Sequence, residues 1–340
     1  MSRILLTGVN GQLGQELQRT LAPLGEVIGV DRKTMDLAQA TSIRQVISEV
    51  KPDLIVNAAA YTAVDKAETE IELATSINAV APTIMAEEAQ QIGAALIHVS
   101  TDYVFDGRKN TPYTEQDATN PLSVYGQTKL AGEEGIRQKS SFGAVPSELA
   151  EATLGAVNSA GLAKRDAVAS KELRYIILRT AWVYGTHGKS NFVKTMLRLF
   201  AERDEVRVVA DQVGTPTWAN DIAQAIYAIA CRCEGATRLS NLSQEHAQPS
   251  LPTGTYHFTN SGVASWYDFA VAIFEEAKQL GFPLKVQRIV PITTSDYPTP
   301  AQRPAFSVLS GQKLSAALGT QPPHWRQGLR QMLVELYSYK

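Results

Sequence analysis

The chain has 340 residues, of which 44% are hydrophobic and 19% are charged, which is typical of a folded protein with one large or two moderate domains. Its formal net charge of -2, without long runs of Lys or Arg, argues against nucleic acid and anionic membranes as main partners. No apolar stretch approaches the roughly 20 residues that a membrane span needs, so we expect a cytoplasmic protein. Cys231 and Cys233 stand too close together for an easy disulfide and lack a second pair for a zinc site.

A strand, a glycine-rich turn and an amphipathic helix are predicted at the start of the chain. The apolar run Arg3–Thr7 leads into the helix through Gly8, Gly11 and Gly14. In this context the first glycine permits a tight turn, the second lets backbone N–H groups approach a pyrophosphate, and the third lets helix and strand pack closely. The pattern indicates a dinucleotide site, and a glycine turn without a ligand is the alternative.

The identity of the dinucleotide depends on the end of the next apolar run. Asp31 stands where an acidic side chain can accept hydrogen bonds from an adenosine ribose, which favours NAD. Arg32 and Lys33 follow directly and could bind a 2′-phosphate, which favours NADP. The sequence therefore leaves NADH and NADPH open as cofactors, and a solvated turn is the alternative interpretation.

Alternation of strands and helices continues along the chain. A strand over Asp53–Asn57 ends in the small residues Ala58–Ala60, which would leave room for a ligand against the backbone. A long helix is predicted over Ile71–Ile92, and the strand Ala95–Val99 leads to Thr101. This order predicts an α/β fold with a Rossmann-type doubly wound parallel sheet, whose ligands bind at the carboxyl ends of the strands.

Tyr125 and Lys129 lie four residues apart on a predicted helix and therefore share one face. Thr101, at the end of the preceding strand, is expected to face the same place. A phenol whose pKa is lowered by a neighbouring ammonium, beside a hydroxyl that polarises a carbonyl, can donate a proton in ketone reduction. We predict Tyr125, Lys129 and Thr101 as catalytic residues; a surface pair is the alternative for the first two.

Five motifs resemble those of the extended short-chain dehydrogenase/reductases and, within them, the dTDP-4-dehydrorhamnose reductase branch. They are LLTGVNGQLGQEL, VNAAAYTAVDKAE, STDYVFDG with VYGQTKLAGE, RTAWVYG with NFVKTMLRL, and SDYPTPAQRPAFSVL. The YxxxK pair belongs to the whole superfamily, whereas VDKAE, STDYVFDG and YPTPxxRPxxS are specific to the branch. The resemblance implies an NAD(P)H-dependent oxidoreductase that reduces the C4 carbonyl of dTDP-4-dehydro-L-rhamnose, the final step of dTDP-rhamnose biosynthesis.

The resemblance also implies roles for individual residues. Thr101 would polarise the C4 carbonyl, Tyr125 would protonate its oxygen, and Lys129 would hold the nicotinamide ribose while lowering the pKa of Tyr125. The cofactor would contact Gly8, Gly11, Gln12, Leu13, Gly14, Asp31, Arg32, Asp36, Leu37, Ala60, Tyr61, Thr62, Tyr125 and Lys129. The substrate would contact Thr101, Asp102, Trp182 and Arg303.

Two of the substrate residues have a physical rationale of their own. Trp182 follows a predicted strand and could cover the sugar with apolar surface, and a core tryptophan is the alternative. Arg303 lies between prolines, and its guanidinium suits a diphosphate, with a surface arginine as the alternative. The resemblance further implies Mg²⁺ at a homodimer contact through Glu16, Glu202 and Glu335, for which solvated glutamates are the alternative.

The domain boundaries are expected to follow the same pattern. An NAD(P)-binding Rossmann domain is predicted over residues 1–185, with a surface insertion over 138–173 and with part of 219–260 returning to it. A smaller C-terminal α/β substrate-binding lobe is predicted over 186–218 and 261–340.

Two other functions remain open from the sequence. A nucleotide-sugar dehydratase or epimerase could use the same scaffold, but dehydratases of this superfamily carry a Thr-Asp-Glu run, and Tyr103 stands in the place of Glu here. A non-catalytic NADP-binding regulatory subunit, like that of methionine adenosyltransferase, would not need Thr101, Tyr125 and Lys129 together.

Overall fold

A parallel β-sheet organises the computed structural model, which describes residues 2–141, 172–232 and 251–338. The strands are β1 Arg3–Thr7, β2 Glu26–Val30, β3 Leu54–Asn57, β4 Ala95–Thr101, β5 Arg174–Thr180, β6 Val183–Tyr184, β7 Glu205–Val209, β8 Val213–Gly214, β9 Thr217–Trp218, β10 Gly254–His257, β11 Ala264–Ser265 and β12 Arg288–Ile292. Within the described residues the main sheet has the order β10-β5-β4-β3-β1-β2, and every neighbouring pair is parallel. The order reverses beside β1, which is where a doubly wound sheet binds its ligand.

The helices connect these strands and cover the sheet. They are α1 Gln12–Leu21, α2 Ala40–Val50, α3 Val64–Ala67, α4 Ile71–Thr75, α5 Ala81–Ile92, α6 Val124–Ser141, α7 Phe192–Glu202, α8 Ala219–Ala230, α9 Trp266–Gln279, α10 Gln312–Leu318 and α11 Trp325–Ser338. The predicted helix over Ile71–Ile92 is interrupted by a π-helical turn at Ser76–Val80. None of the helices in the described part of the chain is long and apolar enough to cross a membrane.

The sheet is buried on both faces, as continuous apolar strands require. Ile4 and Leu6 pack into a cluster with α1 and α8, whereas Leu5 between them packs into a second cluster with α2 and α5. The alternation follows from the two-residue period of a strand. The predicted Rossmann-type doubly wound sheet is therefore confirmed.

A third cluster lies in the C-terminal half of the chain. It joins α7, α9 and α11 through side chains such as Phe200, Phe269 and Leu329, beside the parallel pair β7 and β12. α8 and β10 instead pack with the main sheet, β10 directly beside β5. The predicted domain boundaries remain a prediction.

Part of the predicted surface insertion over 138–173 lies outside the described residues. The insertion was placed from Gln138, yet α6 continues to Ser141 and Leu173 is buried, so both of its ends belong to the folded protein. The residues from 142 to 171, and those from 233 to 250 with Cys233, are outside the description. Cys231 is a free, exposed thiol.

Candidate active site

A cleft of about 890 Å³ lies along the carboxyl ends of the main strands. Its lining contains all the residues predicted for the cofactor and three of the four predicted for the substrate. These are Gly8, Gly11, Gln12, Leu13, Gly14, Asp31, Arg32, Asp36, Leu37, Ala60, Tyr61, Thr62, Tyr125, Lys129, Thr101, Asp102 and Trp182. Arg303 is not among the lining residues.

The glycine turn between β1 and α1 forms one wall of the cleft. Gly8 has a left-handed backbone (φ 74°), and the N–H of Gly11 donates to its carbonyl at 2.9 Å. A Cβ atom at Gly14 would lie 2.0 Å from the Gly8 oxygen, so only glycine allows α1 to approach β1 this closely. The free N–H groups at the start of α1 therefore meet the cleft without side chains in the way, as an anionic pyrophosphate requires.

A second contact holds this turn to the C-terminal half of the chain. The Asn191 side chain donates from Nδ2 to Gln12 Oε1 at 2.7 Å and to the Gly185 carbonyl at 2.8 Å. Its Oδ1 accepts from the N–H of Lys194 at 3.0 Å and caps α7. One asparagine therefore fixes both the helix and the turn that faces the cofactor cleft.

Asp31 is held by its own turn at the end of β2. Its Oδ1 accepts from the N–H groups of Lys33 and Thr34 at 2.9 and 3.1 Å and from Thr34 Oγ1 at 3.2 Å. These hydrogen bonds, those of the Thr34 and Lys33 N–H groups first, lower the pKa of Asp31. The carboxylate is thus ionised and oriented, and Arg32 beside it lines the cleft.

The π-helical turn carries a residue whose role the sequence did not reveal. Asn78 is buried, its Oδ1 accepts from the Tyr61 N–H at 2.8 Å, and its Nδ2 donates to the Tyr61 carbonyl and to Thr128 Oγ1 at 3.1 and 3.2 Å. It therefore joins the loop after β3 to α6. A single widened turn of this kind is often found at functional sites, but hydrophobic periodicity does not disclose it.

Thr101 and Tyr125 meet at the floor of the cleft. Thr101 ends β4, donates from Oγ1 to Asp102 Oδ1 at 3.0 Å and accepts from the Tyr103 N–H at 3.2 Å. Burial raises the pKa of Tyr125 to about 12, against a hydrogen bond with Thr101 that lowers it. The phenol is therefore protonated at neutral pH.

The prediction that Lys129 lowers the pKa of Tyr125 is wrong for this structure. The Lys129 ammonium donates to the Val99 carbonyl at 2.7 Å and lies 3.3 Å from His98 Nε2. It is directed toward β4, so burial dominates the pKa of the phenol. Burial also lowers the pKa of Lys129 itself to about 8, although the charge of Glu133 opposes this effect.

Behind Lys129 lies a row of polar side chains that the sequence prediction missed. Thr7 Oγ1 donates to Asn57 Oδ1 at 2.7 Å, and Asn57 Nδ2 lies 3.0 Å from His98 Nδ1. Thr7, Asn57 and His98 pair directly across β1, β3 and β4. The available signal was their shared position near the ends of three apolar strands.

Glu133 is a fully buried carboxylate one turn beyond Lys129 on α6. It accepts from Arg179 through both oxygens at 2.9 and 2.7 Å, and from Ser100 Oγ at 2.6 Å. These partners keep the pKa of Glu133 low despite its burial. Its spacing of four from Lys129 and eight from Tyr125 placed it on the catalytic face of the helix, a signal that the sequence prediction did not use.

Asp102 is almost completely buried next to Thr101. Burial raises the pKa of Asp102 to about 6, against hydrogen bonds with Ser307 and Thr101. The site therefore contains a carboxyl group that binds or releases a proton in the neutral range. Tyr103 follows it with its ring edge against Tyr125, the ring centroids 5.4 Å apart.

Trp182 also lines the cleft and has an uncommon backbone conformation (φ 48°). Its ring stacks on Trp266 with the centroids 3.5 Å apart and the planes within 3°. A Cβ atom at Gly214 would lie 2.5 Å from this ring. The absence of a side chain at Gly214 leaves room for the Trp182 ring, and stacking on Trp266 fixes its orientation. Trp182 therefore offers an aromatic surface to the cleft.

Arg303 is engaged in an ion pair. Its Nη1 and Nη2 lie 3.0 and 2.8 Å from the two carboxylate oxygens of Asp65, and Nη1 also donates to Thr299 Oγ1 at 2.6 Å. The guanidinium therefore joins the C-terminal loop to α3, and its predicted contact with a diphosphate remains a prediction.

The three glutamates predicted for Mg²⁺ each have a protein partner. Glu16 is bound by Arg19 and lies 3.7 Å from His187, Glu202 pairs with Arg198, and Glu335 accepts from Thr186. Across residues 2–141, 172–232 and 251–338, no three His, Cys, Asp or Glu side chains are grouped to hold a metal ion. Glu16, Glu202 and Glu335 thus do not form a metal site with other described residues of the same chain.

Comparison with known proteins places these features in a family. The model of the RmlD substrate binding domain matches residues 1–145 and 153–338. The dTDP-4-dehydrorhamnose reductase of Burkholderia thailandensis is 40% identical over 338 residues, which is 99% of each chain. The crystal structure of a dTDP-4-dehydrorhamnose reductase from Clostridium acetobutylicum is similar with a TM-score of 0.77 and 36% identity, covering 98% of this chain and 99% of that one. The enzyme of the same name from Bacillus anthracis, solved with NADP, has a TM-score of 0.76 and 34% identity over 98% and 99% of the two chains.

Proposed function

The chain belongs to the family of the RmlD substrate binding domain, and from this premise we propose that it reduces the C4 carbonyl of dTDP-4-dehydro-L-rhamnose with NAD(P)H to give dTDP-L-rhamnose. The observation that carries the proposal is the single cleft that joins the glycine turn to Thr101, Tyr125 and Lys129. A dinucleotide turn alone would suit any Rossmann protein. A protonated phenol that can donate a proton, beside a hydroxyl that can polarise a carbonyl, is the combination that a carbonyl reductase needs in the same cleft.

The chemistry assigned to these residues follows from charge development. NAD(P)H, when bound, supplies the hydride, and negative charge then develops on the C4 oxygen of the sugar. The phenol of Tyr125 donates its proton to that oxygen, so that its own O–H bond breaks as the alcohol O–H bond forms. Thr101 has one hydroxyl proton, which it donates to Asp102 in this structure. To polarise the carbonyl, Thr101 must turn this proton from Asp102 to the substrate.

The dinucleotide preference is assigned to Asp31 and Arg32. Since Asp31 Oδ1 already accepts three hydrogen bonds from its turn, its other oxygen is the one that can meet the adenosine ribose. Arg32 lines the cleft beside it and supplies a cation for a 2′-phosphate. We assign both dinucleotides to the site, with NADPH bound more tightly through Arg32.

The substrate is assigned to the side of the cleft formed by Trp182 and Asp102. The stacked ring of Trp182 offers apolar surface to the deoxysugar, and Asp102 offers hydrogen bonds to a sugar hydroxyl. Tyr103 stands where a dehydratase would carry a glutamate, and burial raises the pKa of its phenol above the ordinary value. At neutral pH this phenol stays protonated and cannot accept a proton as the glutamate carboxylate would, and this favours reduction over dehydration.

Mg²⁺ and a homodimer form a separate proposal. Because the described residues of one chain do not group three ligands, we assign Mg²⁺ to Glu16, Glu202 and Glu335 together with groups from a second copy. Light scattering of the purified protein with Mg²⁺ and with EDTA tests this. A molar mass that is the same in both solutions removes Mg²⁺ from the assembly.

The reductase activity is tested by following the absorbance of NADPH and of NADH with dTDP-4-dehydro-L-rhamnose, and by identifying the product by mass spectrometry. Other nucleotide 4-ketosugars test substrate choice. Turnover of dTDP-glucose without added dinucleotide would instead indicate a dehydratase. Tight NADPH binding without oxidation of NADPH by any 4-ketosugar would indicate the regulatory alternative and overturn the proposal.

A further inference from the structure

Three polar side chains, Thr7, Asn57 and His98, form a hydrogen-bonded row across neighbouring strands of the main sheet, and the row ends at Lys129. We call this row the polar ladder. Thr7, Asn57 and His98 occupy paired positions on β1, β3 and β4, and on β4 His98 projects to the same face as Leu96. The Ala59 N–H donates to Thr7 Oγ1 at 3.2 Å and starts the ladder on the cofactor side. His98 ends it, with Nε2 3.3 Å from Lys129 Nζ.

His98 is the ladder member that can respond to the charge of Lys129. It is 1% exposed, and burial together with the Lys129 charge lowers the pKa of His98 well below its ordinary value, so the ring is neutral. A neutral imidazole has one N–H donor and one acceptor nitrogen. The other partner of Lys129 Nζ, the Val99 carbonyl, can only accept. Among the described residues, His98 is therefore the hydrogen-bond partner that can serve both an ammonium and a neutral amine.

The hydrogen bonds of the ladder can run in two directions. In one, Thr7 donates to Asn57 Oδ1, Asn57 Nδ2 donates to His98 Nδ1, and the proton on Nε2 is directed at a neutral Lys129 amine. In the other, the Asn57 amide is turned over, His98 carries its proton on Nδ1, and Nε2 accepts from the Lys129 ammonium. The Thr7 hydroxyl can donate or accept, so it can pair with the Asn57 amide in both directions.

We propose that His98 is a positioning residue that acts through Lys129, exchanging its tautomer with rotation of the Asn57 amide so that both charge states of Lys129 stay hydrogen-bonded during turnover. The proposal rests on the reductase function proposed above. Once Tyr125 has given its proton to the product, restoring the phenol takes a proton from the Lys129 ammonium, which is bound to the Val99 carbonyl in this structure and must turn toward Tyr125 to give it. A Lys129 N–H bond breaks, a phenol O–H bond forms, and the amine stays neutral until solvent supplies a proton.

Other charged groups near Lys129 do not replace this function. Glu133 lies on the same helix and is an acceptor committed to Arg179 and Ser100. Arg179, on β5, is bound to that carboxylate. Tyr125 on α6 is the proton donor itself. From β4, His98 is thus the group whose replacement changes the hydrogen bonding of Lys129 directly.

The test compares three variants that affect the two directions differently. His98→Leu removes the acceptor from the ammonium, and because charge-assisted hydrogen bonds are stronger than neutral ones, the charged form loses more. His98→Gln keeps a donor and an acceptor. Asn57→Asp offers only acceptor oxygens to the ring, which keeps the proton on Nδ1 and favours the Lys129 ammonium. His257→Gln is the matched control, since His257 is equally buried on β10 and its Nδ1 contacts the Tyr113 carbonyl.

The readout is the fall of kcat/KM at high pH, which for the wild type is expected near the Lys129 pKa of about 8. His98→Leu should move this fall to lower pH by about one unit, the effect of losing one charge-assisted hydrogen bond. Asn57→Asp should move it to higher pH, and His98→Gln and His257→Gln should leave it in place. A purely structural role of His98 would lower the activity of His98→Leu without moving the pH at which kcat/KM falls.

A second measurement separates this inference from the reductase proposal. The pH dependence of NADPH affinity, followed by quenching of protein fluorescence, reports the charge of Lys129 without substrate and should shift in the same directions. If the wild type reduces no ketosugar, the proposed function fails while these shifts still stand. If His98→Leu folds, as judged by thermal unfolding, and keeps the wild-type profiles, or if Asn57→Asp shifts them downward, the inference is overturned.

Discussion

The guanidinium of Arg303 is bound to both carboxylate oxygens of Asp65, across 238 residues of sequence. The hydrogen bonds from Arg303 lower the pKa of Asp65, so the pair is charged throughout the neutral range. Asp65 belongs to α3, in the motif that follows the cofactor strand β3, and Arg303 belongs to the proline-rich loop. The pair is therefore a tether between the two segments.

If the tether positions the loop for substrate, both partners should matter equally. We expect Asp65→Asn and Arg303→Gln each to raise KM for the dTDP-sugar about fivefold with little change in kcat, as for a pair that contributes about 1 kcal/mol. The double variant should show no further increase, because each single change already breaks the pair. Steady-state kinetics measures this, with Arg288→Gln, which breaks the exposed pair with Glu205, as control. A much larger effect of Arg303→Gln alone would assign Arg303 to the diphosphate.

Removal of the proton donor should affect chemistry and leave cofactor binding intact. Tyr125→Phe is expected to lower kcat by roughly two to four orders of magnitude, the contribution of a positioned acid. The NADPH dissociation constant should stay within about twofold of wild type. Tyr113→Phe is the control, since its hydroxyl contacts Asp106 outside the cleft lining. A wild-type kcat in Tyr125→Phe would exclude Tyr125 as the acid.

We expect the Asp102 carboxylate to lower the stability of the folded protein at neutral pH while it supports activity. The pKa of Asp102 in the folded protein, about 6, lies above the ordinary value of 3.8. Its contribution to the free energy of unfolding is therefore fully present below about pH 3.8 and is lost as the pH rises through 6. Asp102→Asn is therefore expected to raise the free energy of unfolding by up to about 3 kcal/mol at about pH 7.5, and by much less at about pH 4.5. Urea unfolding at both pH values measures the difference, while activity should fall.

Asp117, whose pKa is lowered and not raised by folding, is the control for this prediction. Hydrogen bonds from Lys109 and Thr114 lower the pKa of Asp117 to about 2. Its stabilisation is fully present above the ordinary carboxyl pKa, so Asp117→Asn should destabilise the protein at neutral pH. Equal signs for the two variants would show that the pKa of Asp102 is not raised by burial.

Arg32 should decide between the two dinucleotides. Arg32→Ala is expected to raise KM for NADPH about tenfold and to leave KM for NADH within about twofold, because only NADPH carries the 2′-phosphate. Arg44→Ala is a suitable control, since Arg44 pairs with Glu87 and Glu88 of α5 and is not among the residues that line the cleft. Parallel losses with both dinucleotides would assign Arg32 to the adenosine in general.

The cofactor side of the site was predictable from the sequence because its determinants are local. Gly8, Gly11 and Gly14 are dictated by one strand-turn-helix unit, and Tyr125 and Lys129 by one helix face. The fold follows equally from the alternation of strands and helices. All these residues line the cleft.

Contacts between distant segments were not predictable in the same way. The spacing of Tyr125 and Lys129 predicted a common face, but the direction of the Lys129 ammonium depends on the Val99 carbonyl and on His98 in another strand. The ion pair of Arg303 with Asp65 likewise forms only when the proline-rich loop packs against α3, which the sequence does not disclose. A lowered pKa for Tyr125 was wrong because burial, which depends on tertiary packing, outweighs helix spacing.

Asn191 joins the glycine turn to the C-terminal half of the chain, so we expect ligands bound to the two parts to affect each other's affinity. Its side chain caps α7 and at the same time holds Gln12, so a dinucleotide that shifts the glycine turn also acts on the helix of the C-terminal half. Such linkage is reciprocal: the factor by which the dinucleotide changes affinity for the sugar nucleotide equals the factor in the opposite direction. Part of this coupling is thus expected to pass through one amide group.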